Sequence, residues 1–230
     1  MNISVKMRPW EKVLGWILLV LHVLVLPVLI ELVCYLLNIP ITTGELNIIF
    51  FVTAFLLTLA FFGRFLWENL KNFKRELKNS LYAVLGGFGI YYVLNIAVNI
   101  LIMNLMPEYS NVNNDNIASL TDVYYLPMFL CTVLLVPVTE EVLYRGMLFG
   151  LPWQKNRYLA YFVSTLVFSL IHMVGYIGQA PISYLLIGLI QYVPATIGMG
   201  YAYEKADSIV APMLIHMFVN FLGMIAMRFV

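Results

Sequence analysis

Charged residues are scarce in this sequence. Asp, Glu, Lys and Arg together make up 11% of the 230 residues, whereas 62% are hydrophobic. A soluble globular domain is usually about one quarter charged and about half apolar. The composition therefore excludes an ordinary soluble domain and predicts a protein that lies within a membrane.

The sequence also has few cysteines and no stripe of basic residues. Cys34 and Cys131 are the two cysteines, and both lie in apolar segments. Two cysteines provide neither a disulfide framework nor a metal-ligand pattern. No basic stripe with interleaved aromatic residues is present, which argues against nucleic-acid binding. The longest polar stretch, residues 107–122, is expected to be a loop.

Long apolar runs are what the sequence does contain. A helix that crosses a membrane needs about 20 apolar residues. The first run is too long for a signal-peptide core and lacks a cleavage site, so we expect it to be retained. A possible re-entrant segment at 175–178 would add an eighth element. The prediction is an all-α, polytopic membrane bundle of seven helices, near residues 13–37, 46–67, 79–106, 123–150, 158–173, 182–203 and 208–228.

Lysine and arginine are unevenly placed along the chain. The loops near 38–45, 107–122 and 174–181 contain neither residue. Cytoplasmic loops of membrane proteins carry the excess of positive charge, so the pattern predicts a cytoplasmic N-terminus and an outer C-terminus. The basic residues that precede the first helix or lie around the remaining links are Lys6, Arg8, Lys12, Arg64, Lys71, Lys74, Arg75, Lys78, Lys155, Arg157 and Lys205.

An ionisable cluster interrupts the fourth predicted helix. The stretch LLVPVTEEVLYRGMLFG, residues 134–150, contains Glu140, Glu141 and Arg145. Such residues within a span cost roughly 2.5–3.5 kcal/mol on insertion scales and mark functional sites. Glu141 and Arg145 are four residues apart, so they share a helix face and are expected to form an ion pair. Glu140 has the same spacing to Tyr144.

Two later helices carry polar residues at a similar depth. His216 and Asn220 are four residues apart and point the same way from the last helix, while Phe168 is placed to pack against the ring of His172. A rise of about 1.5 Å per residue puts these groups and Glu140 near the middle of the membrane. We therefore expect one shared polar cavity.

The residue types in this cavity suit hydrolysis. A buried carboxylate can act as a general base on water, and the arginine beside Glu141 gives the two glutamates different environments and roles. A histidine and an asparagine can donate hydrogen bonds to a developing oxyanion. Glutamate oxygen and histidine nitrogen can also bind a metal, and the residues alone leave both possibilities open.

Three motifs occur in a characteristic order. They are EEVLYRG from Glu140, FSLIH from Phe168 and HMFVN from His216. In pattern and order they resemble the EExxxR, FxxxH and HxxxN motifs of the CAAX-protease and bacteriocin-processing family, also called Abi. The flanking GMGYAYEKADSIVAPMLIH also looks like that family's link into its last conserved helix. The resemblance divides the chain into accessory helices with an outer loop, 1–122, and a catalytic core, 123–230.

The resemblance implies an intramembrane endopeptidase, related to the enzymes that trim prenylated CAAX proteins. Its expected partners are the lipid bilayer and a hydrophobic peptide or membrane-anchored protein substrate, and the chain is expected in a bacterial or archaeal cell membrane. In that family a glutamate and a histidine are thought to activate water. Carried over, Glu140 is the base with His172 as its partner, and His216 and Asn220 form the oxyanion hole. The supporting residues are Glu141, Arg145, Tyr144 and Phe168.

Three alternatives remain open. We expect no cofactor, but a divalent metal such as zinc held by Glu140, His172 and His216 is the alternative. The protein could also be a non-catalytic bacteriocin-immunity or peptide-binding member of the same family. A transporter is the third reading, which inverted repeats would support, and we find none. His22 and Glu31 in the first helix receive no role.

Overall fold

The computed structural model describes residues 3–4 and 6–229, with only the backbone described at Asp122 and Phe229. Within this range every regular element is helical. The predicted all-α bundle is confirmed, and the chain is an integral, multi-pass membrane protein. The seven helices long and apolar enough to cross a membrane are α1 (Pro9–Leu36), α2 (Thr43–Arg75), α3 (Leu77–Leu105), α5 (Val123–Trp153), α6 (Arg157–Val174), α7 (Ile182–Ala206) and α8 (Val210–Arg228).

An additional helix, α4, occupies residues 112–122, and the predicted loop is therefore wrong there. The side chain of Asn111 caps the helix by accepting hydrogen bonds from the backbone N–H groups of Asn113 and Asn114. Ile117 packs against a buried apolar cluster. The cap and this burial outweigh the polar composition that suggested a loop. The segment continues into α5 with a kink at Tyr124.

The segment between α6 and α7 contains no helix. Residues 175–181 form turns, with one isolated bridge between Ile177 and Ala180. Gly178 has a φ of +82°, a conformation that glycine adopts without strain. Residues 175–178 therefore form turns and not a further helix, and a re-entrant position of this segment stays a prediction.

A wide π-helical turn interrupts α5 at Cys131–Leu135, just before Pro137. In such a turn each N–H bonds to the carbonyl five residues back, and the N–H of Val136 bonds to the carbonyl of Cys131. Pro137 follows and has no N–H. The next carbonyl, that of Thr132, is thus left free to accept a hydrogen bond from outside the helix.

The ends of the helices form two contrasting faces of the bundle. At the basic face, Arg64 pairs with Glu11, and Arg157 pairs with Glu204 at 3.0 Å. All but two of the 13 lysines and arginines, Arg145 and Arg228, belong to this face. The opposite end is called the amide face here, after its side chains Asn111, Asn113, Asn114, Asn116, Gln179 and Gln191. The cytoplasmic location of the basic face stays a prediction.

Helices α3 and α7 approach most closely where Gly87 meets Gly198. A Cβ atom on Gly198 would lie 2.5 Å from the carbonyl oxygen of Gly87, and one on Gly87 would lie 2.6 Å from that of Gly198. Small residues permit this backbone contact between membrane helices. The contact sets the position of α7, which contributes Tyr192, Ala195 and Met199 to the cavity described below.

We predict that Gly198→Ala destabilises the protein by about 1–3 kcal/mol, because the added methyl group meets backbone that cannot yield. The matched control is Gly89→Ala, on α3, where a Cβ meets nothing within 4 Å. That variant should unfold at the parent temperature or slightly above it, since alanine favours helix. Thermal unfolding in detergent micelles measures both. Equal unfolding temperatures would contradict the close crossing.

Candidate active site

One cavity of about 560 Å³ lies among α1, α2, α4, α5, α6, α7 and α8. Glu140, His172, His216 and Asn220 all line it. The structure therefore brings together the four side chains that the sequence predicts to share a cavity. Its volume is within the range of ligand-binding pockets, about 300–1,000 Å³. It can admit a short peptide segment but not a folded domain.

Glu141 lies behind the cavity wall and is 0% exposed. Its Oε1 accepts hydrogen bonds from Nη1 of Arg145 at 3.0 Å and from Nδ1 of His216 at 2.8 Å. The guanidinium of Arg145, also fully buried, lies 4.9 Å from the centre of the Phe168 ring. The predicted ion pair is present, and it extends to a histidine that the sequence did not assign to it.

His216 lies between the two glutamates. Since a carboxylate beside an arginine can only accept a hydrogen bond, the Nδ1 of His216 that contacts Glu141 carries a proton. Its Nε2 lies 3.8 Å from Oε2 of Glu140, beyond direct hydrogen-bond range. In a neutral ring this Nε2 is an acceptor. An oxyanion-binding role therefore requires a second proton, which would make His216 an imidazolium.

Glu140 presents a free carboxylate oxygen at the cavity wall. The residue is 8% exposed, and its buried Oε2 has no hydrogen-bond partner among the residues that the structure describes. An unpartnered buried carboxylate oxygen is costly. The side chain is therefore available to hold water or substrate.

His172 is held by two aromatic rings and one hydrogen bond. Its ring centre lies 4.4 Å from that of Phe168, as the spacing predicts, and 4.5 Å from that of Tyr192. Its Nδ1 donates to the backbone carbonyl of Phe168 at 2.8 Å. Because a carbonyl can only accept, Nδ1 carries the proton of the neutral ring and Nε2 is the acceptor.

Asn220 bonds to the backbone of α5. Its Nδ2 donates to the Thr132 carbonyl at 2.8 Å, the same carbonyl that Pro137 leaves without a helical partner. One side-chain N–H of Asn220 therefore binds the backbone of α5, and the second remains for another acceptor.

Tyr144 is fully buried and packs edge-on against Phe168, with 5.0 Å between ring centres, so its contribution to the site is through packing.

His22 is the cavity residue that sequence reasoning missed. It lines the same cavity, is 8% exposed and packs 4.9 Å from the ring of Phe50. A usable sequence signal was the ionisable side chain within an apolar run. In the structure His22 lies in a π-helical turn, Leu21–Val25, which precedes Pro27 as the turn in α5 precedes Pro137. Such turns occur often at functional sites. Glu31, by contrast, is exposed and does not line the cavity.

The amide face is held together over the cavity by neutral hydrogen bonds. Nδ2 of Asn113 donates to the Tyr192 hydroxyl at 3.1 Å, and the Tyr176 hydroxyl donates to Oδ1 of Asn113 at 3.2 Å. Burial raises the pKa of the Tyr176 phenol above its usual value, so it remains a donor. These bonds connect α4 to Tyr192, which in turn packs against His172.

The described side chains were compared with the requirements of a metal site. Across residues 3–4 and 6–229, no group of three or more His, Cys, Asp or Glu residues is arranged to hold a metal ion. Glu140, His172 and His216 border one cavity without forming such a group. Catalytic zinc usually takes three protein ligands, and the choice between a metal-free site and a metal site stays a prediction.

Comparison with known proteins gives one result. Residues 122–222 match the family model described as Rce1-like, type II CAAX prenyl endopeptidase Rce1-like. This segment contains all three motifs, and the predicted resemblance to the CAAX protease family is confirmed over it. The match indicates a membrane-embedded peptidase that acts on a peptide substrate. No curated protein and no solved structure matches the chain.

We predict that Glu141→Gln lowers the free energy of unfolding by about 3–5 kcal/mol, because it leaves Arg145 as an unpaired buried charge. The double variant Glu141→Gln, Arg145→Met should recover part of the loss. The control is Glu68→Gln, which breaks an ion pair between Arg64 and the 41% exposed side chain of Glu68 and should cost little. Thermal unfolding in detergent compares them. A Glu141→Gln protein as stable as its parent would contradict the supporting role of this pair.

Proposed function

We propose that this chain, similar over residues 122–222 to type II CAAX prenyl endopeptidases, is an intramembrane endopeptidase that uses glutamate-activated water. The observation that supports it best is the free Oε2 of Glu140 in the wall of the cavity that His172 also lines. Both the carboxylate and Nε2 of His172 are acceptors. A water molecule between them can donate a hydrogen bond to each and direct a lone pair towards substrate.

The reaction then proceeds in two steps. The water oxygen bonds to the peptide carbonyl carbon while its proton passes to Glu140. The negative carbonyl oxygen accepts hydrogen bonds from the second side-chain N–H of Asn220 and from Nε2–H of protonated His216. The C–N bond breaks next, and Glu140 returns its proton to the leaving amine. Glu141 stabilises the imidazolium through Nδ1–H, as the aspartate does in a Ser-His-Asp triad.

The substrate is proposed to be a hydrophobic peptide or a membrane-anchored protein. Small hydrophobic peptides, leader peptides and the tails of membrane proteins suit the depth of the site. Prenylated proteins are the substrates that the family description names. The alternative is a peptide-binding or immunity protein that uses the same cavity without turnover, and detectable cleavage distinguishes the two.

We predict that Glu140→Gln reduces cleavage by roughly 10²–10⁴-fold, the usual contribution of a general base, without changing the unfolding temperature. Glu31→Gln is the matched control, because it makes the same substitution at an exposed glutamate outside the cavity. Peptide mass spectrometry of membranes containing each variant reports cleavage. Normal turnover by purified Glu140→Gln protein would show that another group is the base. Binding of peptides by the parent without cleavage would favour the immunity or binding alternative.

A second prediction concerns metal. If Glu140 and His172 activate water alone, purified active protein should contain far less than one equivalent of zinc or another transition metal. Chelators should leave cleavage largely unchanged. Elemental analysis and chelator-treated assays measure this directly. Stoichiometric metal, with activity that is lost on its removal and restored on its return, would overturn the metal-free mechanism and make His172 and His216 candidate ligands.

A further inference from the structure

The catalytic cavity occupies one half of the bundle. On α5 its lining begins near the amide face and stops at Glu140, and on α6 it begins at Phe168 and continues past the end of the helix to Gln179. The other helices contribute mostly from their middle or from the part nearest the amide face. Their lining residues are His22, Val23 and Pro27 on α1, Asn47, Phe50 and Phe51 on α2, Asn113, Asn114, Asn116, Ile117 and Leu120 on α4, Tyr192, Ala195 and Met199 on α7, and His216, Val219 and Asn220 on α8.

The half of the bundle towards the basic face is packed. Every residue of Val142–Phe149, which follows the two glutamates on α5, is buried. This segment belongs to the largest apolar cluster, together with Phe62, Phe65 and Tyr203, each at most 1% exposed. Interiors packed in this way leave few voids larger than a water molecule. Among the residues that the structure describes, this packing leaves a peptide no path to Glu140 from the basic face.

The entrance at the amide face is polar but uncharged. Asn113, Asn114, Asn116 and Gln179 line it, and no lysine, arginine or aspartate is among the described lining residues. Side-chain amides offer both donors and acceptors, which suits an extended peptide backbone. These lining residues carry no charge, so a charged substrate residue finds no oppositely charged partner among them.

We propose that substrate reaches Glu140 from the amide face, which the distribution of basic residues predicts to be the non-cytoplasmic side. The substrates are then peptide segments exposed at, or emerging on, the outer surface of the membrane, with uncharged residues around the cleaved bond. The cytoplasmic tail of a membrane protein would not qualify. This inference rests on the proposed function for its substrate class, but the direction of access can be measured without turnover.

The test uses single cysteines in a Cys34→Ala, Cys131→Ala background. Ala195→Cys places a thiol in the cavity wall. Its matched control is Ala202→Cys on the same helix, two turns nearer the basic face and 0% exposed. Lys71→Cys marks the basic face. A charged, membrane-impermeant thiol reagent is applied to right-side-out and to inside-out vesicles, and labelling is followed by mass shift.

The Ala195→Cys protein should react at least about tenfold faster in right-side-out vesicles, because its thiol lies in a cavity open to that side. Ala202→Cys should react in neither preparation, and Lys71→Cys only in inside-out vesicles. Labelling of Ala195→Cys from the inside, or from neither side, would overturn the inference, and Val219→Cys repeats the measurement from α8. If the thiols are labelled as expected but the protein cleaves no peptide, the direction of access stands and the protease function is rejected. If the protein cleaves peptides but Ala195→Cys is labelled from the inside, the protease function stands and the direction of access is rejected.

A separate observation concerns His22. Its Nδ1 is buried and has no hydrogen-bond partner in the described part of the chain. Leaving such a group unsatisfied at membrane depth is costly, and the ring lines the cavity with Phe50 packed beside it. We infer that His22 hydrogen-bonds the bound peptide. It would then contribute to substrate binding from α1, outside the segment that matches the family.

His22→Phe tests this inference, because it keeps an aromatic ring and removes the hydrogen bond. We expect KM to rise by about fivefold to tenfold, the value of one hydrogen bond, with kcat within about twofold, the pattern of lost substrate binding. His22→Gln should recover part of the loss. An unchanged KM in His22→Phe would overturn the role, whether or not the protein is less stable.

Discussion

The site depends on one buried carboxylate, that of Glu141. A carboxylate removed from water needs opposite charge and hydrogen-bond donors around it, and Glu141 obtains them from Arg145 on its own helix and from His216 on α8. The interaction thus connects the two helices that carry most of the site. It also fixes which nitrogen of His216 faces Glu140. Glu141, which does not line the cavity, thus orients the histidine that faces Glu140, which does.

The parts of this structure that local sequence determines were predictable. Seven helices follow from apolar length, and the Glu141–Arg145 pair follows from a spacing of four residues. The packing of Phe168 against His172 follows from the same rule. Each depends on neighbours within one or two helical turns, so no knowledge of the tertiary fold is needed.

Other features depend on contacts between distant segments. The sequence did not reveal that His216 bonds to Glu141 or that Asn220 bonds to Thr132, because both partners are more than 70 residues away. Residues 112–122 are helical because of a cap and of burial against other helices, which composition alone conceals. His22 was passed over because α1 lies outside the three motifs, and only the folded bundle places it beside them.

The wide turn at Cys131–Leu135 has a consequence for how this helix tolerates changes in length. A π turn holds one more residue than an α turn. Loss of one residue there would restore ordinary winding, whereas loss from an α-helical part of α5 would rotate every later side chain by about 100°. The turn therefore absorbs single-residue deletions upstream of Glu140 and preserves the angular position of both glutamates. Pro137 would still provide no N–H, so a carbonyl one turn before it would remain free for Asn220 while the acidic pair kept its orientation.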